Sequence, residues 1–256
     1  MVNHLPEMLG LSWFQLGLIP CIFILGGAAK GALGFGLPFV TVSIIPLFAP
    51  LDVALAINAV VLPISNFLQY TQSGLVRPTF ERYRLVVVGI LLGAPIGAYL
   101  LSAMDIHIIE LLLGLFVMCF VFVTLFNPSL KVAPRSEKSL GLTVGLSAGV
   151  IGTMTTVNGP FFIMYLLGLH INRREMLASL GLLFIVSGLC FTVFFSLFGI
   201  LTIERALLGV ACAGFAMLGM RIGDWLVQFI DREFFRKLVL CGLFILGFNI
   251  FLRGLG

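Results

Sequence analysis

Long apolar runs separated by short polar stretches fill most of the chain. Cut at charged residues, prolines and glycines, these runs predict five helical segments in each half. The first-half segments are 13–29, 38–49, 53–72, 84–103 and 107–126, and the second-half segments are 140–155, 160–169, 175–198, 205–225 and 234–252. The second segment of each half is too short to cross about 30 Å of hydrocarbon as a straight helix. The pattern predicts an all-α polytopic membrane protein with about eight to ten membrane segments.

Composition places this protein in a lipid bilayer. Apolar residues make up 60% of the 256 residues and charged residues only 10%, too little charge for the surface of a soluble domain. We expect a multi-pass protein of the cell (inner or plasma) membrane. The first apolar run has no basic stretch before it, so no cleaved signal peptide is expected. Histidines and cysteines show no metal-ligand spacing, and the sequence predicts no enzyme activity, catalytic residue, metal or cofactor.

The basic residues are distributed unevenly between the polar stretches. Eleven of the 15 Lys and Arg fall in 73–84, 127–139, 170–175 and 231–237, whereas the complementary stretches hold only Arg205 and Arg253. This bias marks the first set as cytoplasmic, and it explains the net charge of +4 without nucleic-acid binding. Both termini are then predicted outside, and the two halves have opposite orientations.

Short motifs in the two halves also match. The stretch 34–39 corresponds to 156–161, with Pro38 matching Pro160, and further matches follow downstream at the same offset. Paired broken segments indicate a transporter with its binding site between inverted repeats. Chance similarity between two apolar sequences is the alternative. We assign residues 1–128 to the first repeat, 129–139 to a cytoplasmic linker and 140–256 to the second repeat.

The two breaks are the candidate binding site. Pro38 and Pro160 suit the first turn of a new helix, and a helix that begins inside the membrane presents free N–H groups that favour an anion. Lys30 adds a charge without an evident partner. The alternative is structural, with glycines for close packing and threonines bonded back to their helix. The candidate substrate-binding residues are Lys30, Gly31, Gly34, Gly36, Pro38, Asn58, Asn66, Thr153, Thr155, Thr156, Asn158, Gly159 and Pro160.

Two further patterns concern the helix faces. In the third segment, Asn58, Ser65, Asn66 and Gln69 fall on roughly one side, which suits either a pore lining or polar contacts between helices. Pairs of small residues four apart predict close helix contacts rather than substrate contacts. These pairs are Gly27/Gly31, Gly93/Gly97, Gly145/Gly149 and Gly219/Gly223.

Nearly the whole chain resembles the TauE/SafE family of sulfite exporters, small permeases for sulfur-containing and related organic anions. The resemblance rests on four stretches: Gly26–Pro38, Gly145–Pro160, Gly93–Gly97 and Asp52–Asn58. It implies a secondary transporter that moves sulfite or an organosulfonate by alternating access between two inverted repeats. Family members usually carry more glycines at each break, so the substrate stays open. An anion channel and a non-transporting membrane subunit are the alternatives, and the sequence also leaves open a homodimer.

Overall fold

The computed structural model describes residues 10–126, 132–226, 228–229 and 232–255, which form ten α-helices joined by short turns. The helices of the first half are α1 (Trp13–Leu33), α2 (Leu37–Ile44), α3 (Leu51–Gln72), α4 (Val76–Ala103) and α5 (Ile106–Phe126). Those of the second half are α6 (Glu137–Thr155), α7 (Gly159–Gly168), α8 (Arg173–Leu197), α9 (Ile203–Leu226) and α10 (Arg232–Leu255). Six of them, α1, α3, α4, α5, α8 and α9, are long and apolar enough to cross a membrane. The predicted all-α polytopic architecture is confirmed.

Some predictions fall beyond these residues. The first residues of the chain, which the signal-peptide prediction concerns, lie outside the described residues. The first part of the predicted linker also lies outside them. The boundaries proposed for the two repeats stay predictions.

Both predicted breaks are present, and each separates a long helix from a short one. α1 is followed by Gly34 and Gly36, with φ of +84° and +117°, a region that glycine adopts without strain. Pro38 and Pro160 lie in the first turns of α2 and α7. With 8 and 10 residues, these helices extend only about 12 and 15 Å, which confirms short second segments.

Two predicted boundaries are wrong. α1 continues through Lys30 to Leu33, because Gly31 packs directly on α9 and this contact offsets the low helix propensity of glycine. α4 begins at Val76 rather than near residue 84, so its first turns carry arginines that were expected in a loop. Arg77 there pairs with Glu81 at 2.8 Å, one helical turn away. A break in helical geometry at Tyr83 separates this charged extension from the apolar span.

The helices of the two halves interlock. α1 packs along α9 and α4 packs along α6, while α3 packs on α8 and α5 on α10. Exchanging each helix for the one at the same position in the other half turns the α1–α9 contact into the α6–α4 contact. The same exchange turns the contact of α3 with α9 into that of α8 with α4. It leaves the α3–α8 and α5–α10 contacts unchanged. The contacts therefore have an approximate two-fold relation. This relation agrees with the inverted repeat that the opposite charge bias of the halves predicts.

Glycines bring the paired helices together. Gly27 and Gly31 of α1 lie against the backbone carbonyls of Ala216 and Met220, where an added Cβ would overlap the oxygen. Gly219 of α9 lies in the same way against α1. The α4–α6 contact repeats the arrangement with Gly89, Gly93, Gly97, Gly145 and Gly149. The prediction that the spaced glycines allow close helix contacts is confirmed.

Candidate functional site

A cavity of about 740 Å³ opens between α1, α3, α8 and α9. Its walls come from the end of α1, the second half of α3, the start of α8 and the second half of α9. Gln72, Arg173 and Asp224 lie at its rim, next to the polar stretches that the charge bias assigns to the cytoplasm. The cavity therefore faces the predicted cytoplasmic side.

Lys30 lies on the wall of this cavity and is only 2% exposed. Its ammonium Nζ donates a hydrogen bond to Ser65 Oγ at 3.0 Å, and Ser65 in turn donates to the carbonyl of Leu62 at 3.3 Å. No carboxylate of the described residues forms an ion pair with Lys30. An ammonium can donate three hydrogen bonds, so Lys30 keeps donors for a ligand. A buried cation without an anionic partner is expensive, and a bound anion would offset that penalty.

The remaining charges of the cavity also favour an anion. Arg173 and Arg221 line it together with one carboxylate, that of Asp224. A cleft with an excess of one sign of charge and low-dielectric walls concentrates ions of the opposite sign. The apolar part of the lining comes largely from leucines and from Met176, Met217 and Met220. The cavity thus combines an excess of positive charge with largely apolar walls, and Lys30 lies on one of these walls.

The predicted site residues do not all meet in this cavity. Lys30, Gly31 and Gly34 line it, whereas the other predicted residues, as far as the chain is described, do not. The starts of α2 and α7, at Pro38 and Pro160, do not line this cavity, and the hypothesis that the two breaks form the binding site stays a prediction. The space beside Gly159 is filled by the rings of Phe39 and Phe184, 3.7 and 3.5 Å from where its Cβ would lie. Large apolar side chains thus lie beside the start of α7.

The polar residues of α3 have separate roles. Asn58 donates from Nδ2 to Thr41 Oγ1 of α2 at 2.8 Å, which is a buried contact between helices. Asn66 Nδ2 donates back to the carbonyl of Leu62 at 2.7 Å. Ser65 and Gln69 line the cavity instead, and Gln69 also donates to the carbonyl of Leu177 in α8 at 2.9 Å. The face predicted as a lining therefore contributes two of its four polar residues to the cavity.

The second break contains two kinds of polar side chain. Thr153 and Thr155 donate back to carbonyls of α6 at 2.8 and 2.7 Å, as the structural alternative proposed. Thr156 and Asn158 are fully buried. Among the described residues, neither the hydroxyl of Thr156 nor either polar atom of the Asn158 amide has a hydrogen-bond partner.

Three charged residues that line the cavity were not among the predicted site residues. Arg173, Arg221 and Asp224 lie at the ends of long helices, where a polar residue has an ordinary explanation at the membrane surface. The spacing of Arg221 and Asp224, three apart, puts both on one helix face. That spacing predicts that the two side chains lie close together, but it does not predict a cavity beside them.

Ion pairs join the two halves at the end of the bundle opposite the cavity. Arg205, near the start of α9, contacts Asp52 at the start of α3 at 2.7 Å. Arg253, near the end of α10, contacts Glu110 of α5 at 3.1 Å and donates to the carbonyl of Pro46. The far ends of α3 and α9 line the Lys30 cavity. The only two arginines predicted to lie outside therefore tie the halves together on that side.

Comparison with known proteins identifies the family. A protein-family model described as sulfite exporter TauE/SafE matches residues 18–250. No curated protein and no solved structure gives a significant match to the chain.

Proposed function

The chain belongs to the sulfite exporter TauE/SafE family of membrane transporters, and on this premise we propose that it carries a small anion, such as sulfite or an organosulfonate, through the cavity that Lys30 lines. The anion enters the cavity between α1, α3, α8 and α9. It then takes the free hydrogen bonds of the Lys30 ammonium beside the Ser65 hydroxyl.

The burial of Lys30 carries this proposal. Its side chain is almost inaccessible, yet the described residues offer it one neutral hydroxyl and no carboxylate partner. A structural lysine in a membrane span would instead extend toward the polar surface or pair with an acid. A site that keeps a cation without a counter-ion is suited to a ligand that supplies the negative charge.

Alternating access accounts for the closed end of the bundle. The cavity is open on the predicted cytoplasmic side, and the Asp52–Arg205 and Glu110–Arg253 pairs hold the opposite side together. Movement of one half against the other would open that side and close the cavity, as in other transporters built from inverted repeats. The two-fold contacts between the halves support such an exchange, because the main helix contacts between the halves have counterparts.

Reconstitution of the purified chain in liposomes tests the proposal. Flux is measured for sulfite, thiosulfate, sulfonates and carboxylates, and a carrier should show saturation and stimulation by anion on the far side. Lys30→Met should lower transport of the best anion at least about tenfold, equivalent to about 1.4 kcal/mol of binding. Lys30→Arg keeps the charge but has a larger planar head, so partial activity is expected.

Lys138→Met is the matched control, because it removes the same charge from an exposed position at the start of α6. This variant should transport like the wild type. Unchanged apparent affinity in Lys30→Met, at equal protein in the membrane, would show that Lys30 does not bind the anion. Removal of a buried charge should not prevent folding, and the melting temperature in detergent checks this point.

A further inference from the structure

We propose that the break between α6 and α7 forms a second, uncharged site for the transported anion, which opens to the membrane face opposite the Lys30 cavity. The proposal rests on the proposed function, because the ligand is the same anion. It differs in assigning the two breaks to separate sites that are used in different conformations.

Unpartnered polar atoms at this break indicate a ligand. Thr156 Oγ1 and both Asn158 amide atoms are buried and, within the described chain, make no hydrogen bond. A buried donor or acceptor without a partner costs about 1–3 kcal/mol, and native proteins contain few of them. Asn158 also occupies the N-cap position of α7, but its side chain does not cap the helix. Its amide is therefore available to a bound molecule.

The backbone supports the same conclusion. Thr156 has φ of +58°, in the left-handed region that a β-branched residue rarely adopts. The corresponding residue of the first break is Gly34, which has φ of +84° and adopts it without strain. The second break thus has a threonine at a position where glycine would adopt the same backbone conformation without strain. The strained residue provides a hydroxyl group, and that hydroxyl is one of the atoms that lack a protein partner.

The donors at this break suit the oxygens of an oxyanion. α7 has 10 residues and begins with free backbone N–H groups at the positive end of its dipole. The Asn158 amide and the Thr156 hydroxyl add two neutral donors beside that end. The amide oxygen of Asn158 is an acceptor. A ligand that also carries a hydroxyl group, such as hydrogensulfite, can therefore accept a hydrogen bond from the amide nitrogen and donate one to the amide oxygen.

The two-fold relation gives the position of this site. The offset that relates Pro38 to Pro160 also relates Lys30 to Gly152. At Gly152 a Cβ would lie 3.1 Å from Asn158 Nδ2 and 3.1 Å from the ring of Phe191. Phe191 is in the last part of α8, whereas the first residue of α8 lines the Lys30 cavity. The second site therefore lies toward the end of the bundle that the two ion pairs close.

The two sites differ in charge, and this difference has a measurable consequence. The first site has a lysine where the second has a glycine, so only the first brings a full positive charge to the anion. The second site offers neutral donors alone, and we expect it to bind the anion about tenfold more weakly. We expect the apparent KM to be lower at the face that bears the Lys30 cavity.

Asn158→Leu tests the second site directly. The substitution removes both unpartnered atoms at nearly constant shape, so the ligand-free protein should melt at an unchanged or higher temperature. Uptake of radiolabelled sulfite is measured in right-side-out and inside-out membrane vesicles. The apparent KM should rise about tenfold at the face opposite the Lys30 cavity and stay within about twofold at the cavity face. Thr156→Val keeps the branching of the side chain and should give the same face-specific effect.

Asn58→Leu is the matched control for stability, since its amide is hydrogen-bonded to Thr41. This variant should melt at a lower temperature. An equal loss of stability in Asn158→Leu would show that the amide serves the fold and would overturn the proposal. An equal rise in KM at both faces would mean that the breaks form one site, which also overturns it. If Lys30→Met has no effect at either face, the proposed function itself fails.

Discussion

Replacement of Asp52 by Asn should loosen the end of the bundle that lies opposite the Lys30 cavity. Asp52 and Arg205 are 2.7 Å apart and join the start of α3 to the start of α9. The two helices belong to different halves, so this ion pair can persist only while the halves remain together on that side. Loss of the pair should favour the conformation in which that side is open.

The exposure of the pair sets the size of the effect. The Arg205 side chain is 15% exposed and that of Asp52 is 42% exposed, so water partly screens the attraction. A pair of this kind contributes about 1 kcal/mol, which corresponds to about a fivefold change in the ratio of closed to open protein. Arg205 also donates to the carbonyl of Ile200 at 2.7 Å, and this bond keeps its side chain in place in Asp52→Asn.

Labelling of a buried cysteine measures this ratio. Ala54 is fully buried half a turn beyond Asp52 in α3, and Ala54→Cys is introduced into a protein whose native cysteines are replaced. A membrane-impermeant maleimide added outside should label it about fivefold faster with Asp52→Asn than without it. Arg205→Gln should have a similar effect. The double variant should react no faster than either single one, because all three lack the same interaction.

Arg77→Gln is the control, because it removes an ion pair that lies within α4 and is exposed to solvent. It should leave the labelling rate unchanged. Independent, additive effects of Asp52→Asn and Arg205→Gln would refute the reasoning, as would an unchanged rate in both single variants. Either result would mean that the pair does not hold the halves together.

Two other predictions concern topology and packing. Arg135→Cys should react with an impermeant reagent only when the cytoplasmic face is accessible, and labelling in intact cells would reverse the predicted orientation. Gly27→Ala should destabilise the protein by about 1–3 kcal/mol, because its Cβ would overlap the Ala216 carbonyl. Gly17→Ala is the control in the same helix, because its Cβ would meet no atom within 4 Å. This variant should leave the melting temperature in detergent unchanged or slightly higher. An equal loss of stability in both variants would contradict the packing argument.

Much of the fold was predictable because the bilayer restricts what a sequence can do. A span in hydrocarbon must be apolar and must satisfy its backbone hydrogen bonds internally, so hydropathy locates the long helices. Glycine and proline have backbone preferences that act locally, which is why the breaks before Pro38 and Pro160 were found within a few residues. Helix ends were less predictable. The charged start of α4 is helical because of side-chain pairs, and one of these, Arg82 with Glu137, joins residues far apart in the sequence.

The site depended on contacts that only the tertiary structure provides. The sequence identified Lys30 as a cation in an apolar segment, but its position beside Ser65 follows from the packing of α1 and α3 around one cavity. Asn58 and Ser65 are both polar residues of α3, yet one bonds to α2 and the other faces the cavity. Hydrophobicity along a chain reports the cost of placing a polar group in a membrane. The partner that offsets this cost comes from another helix, so only the folded protein determines it.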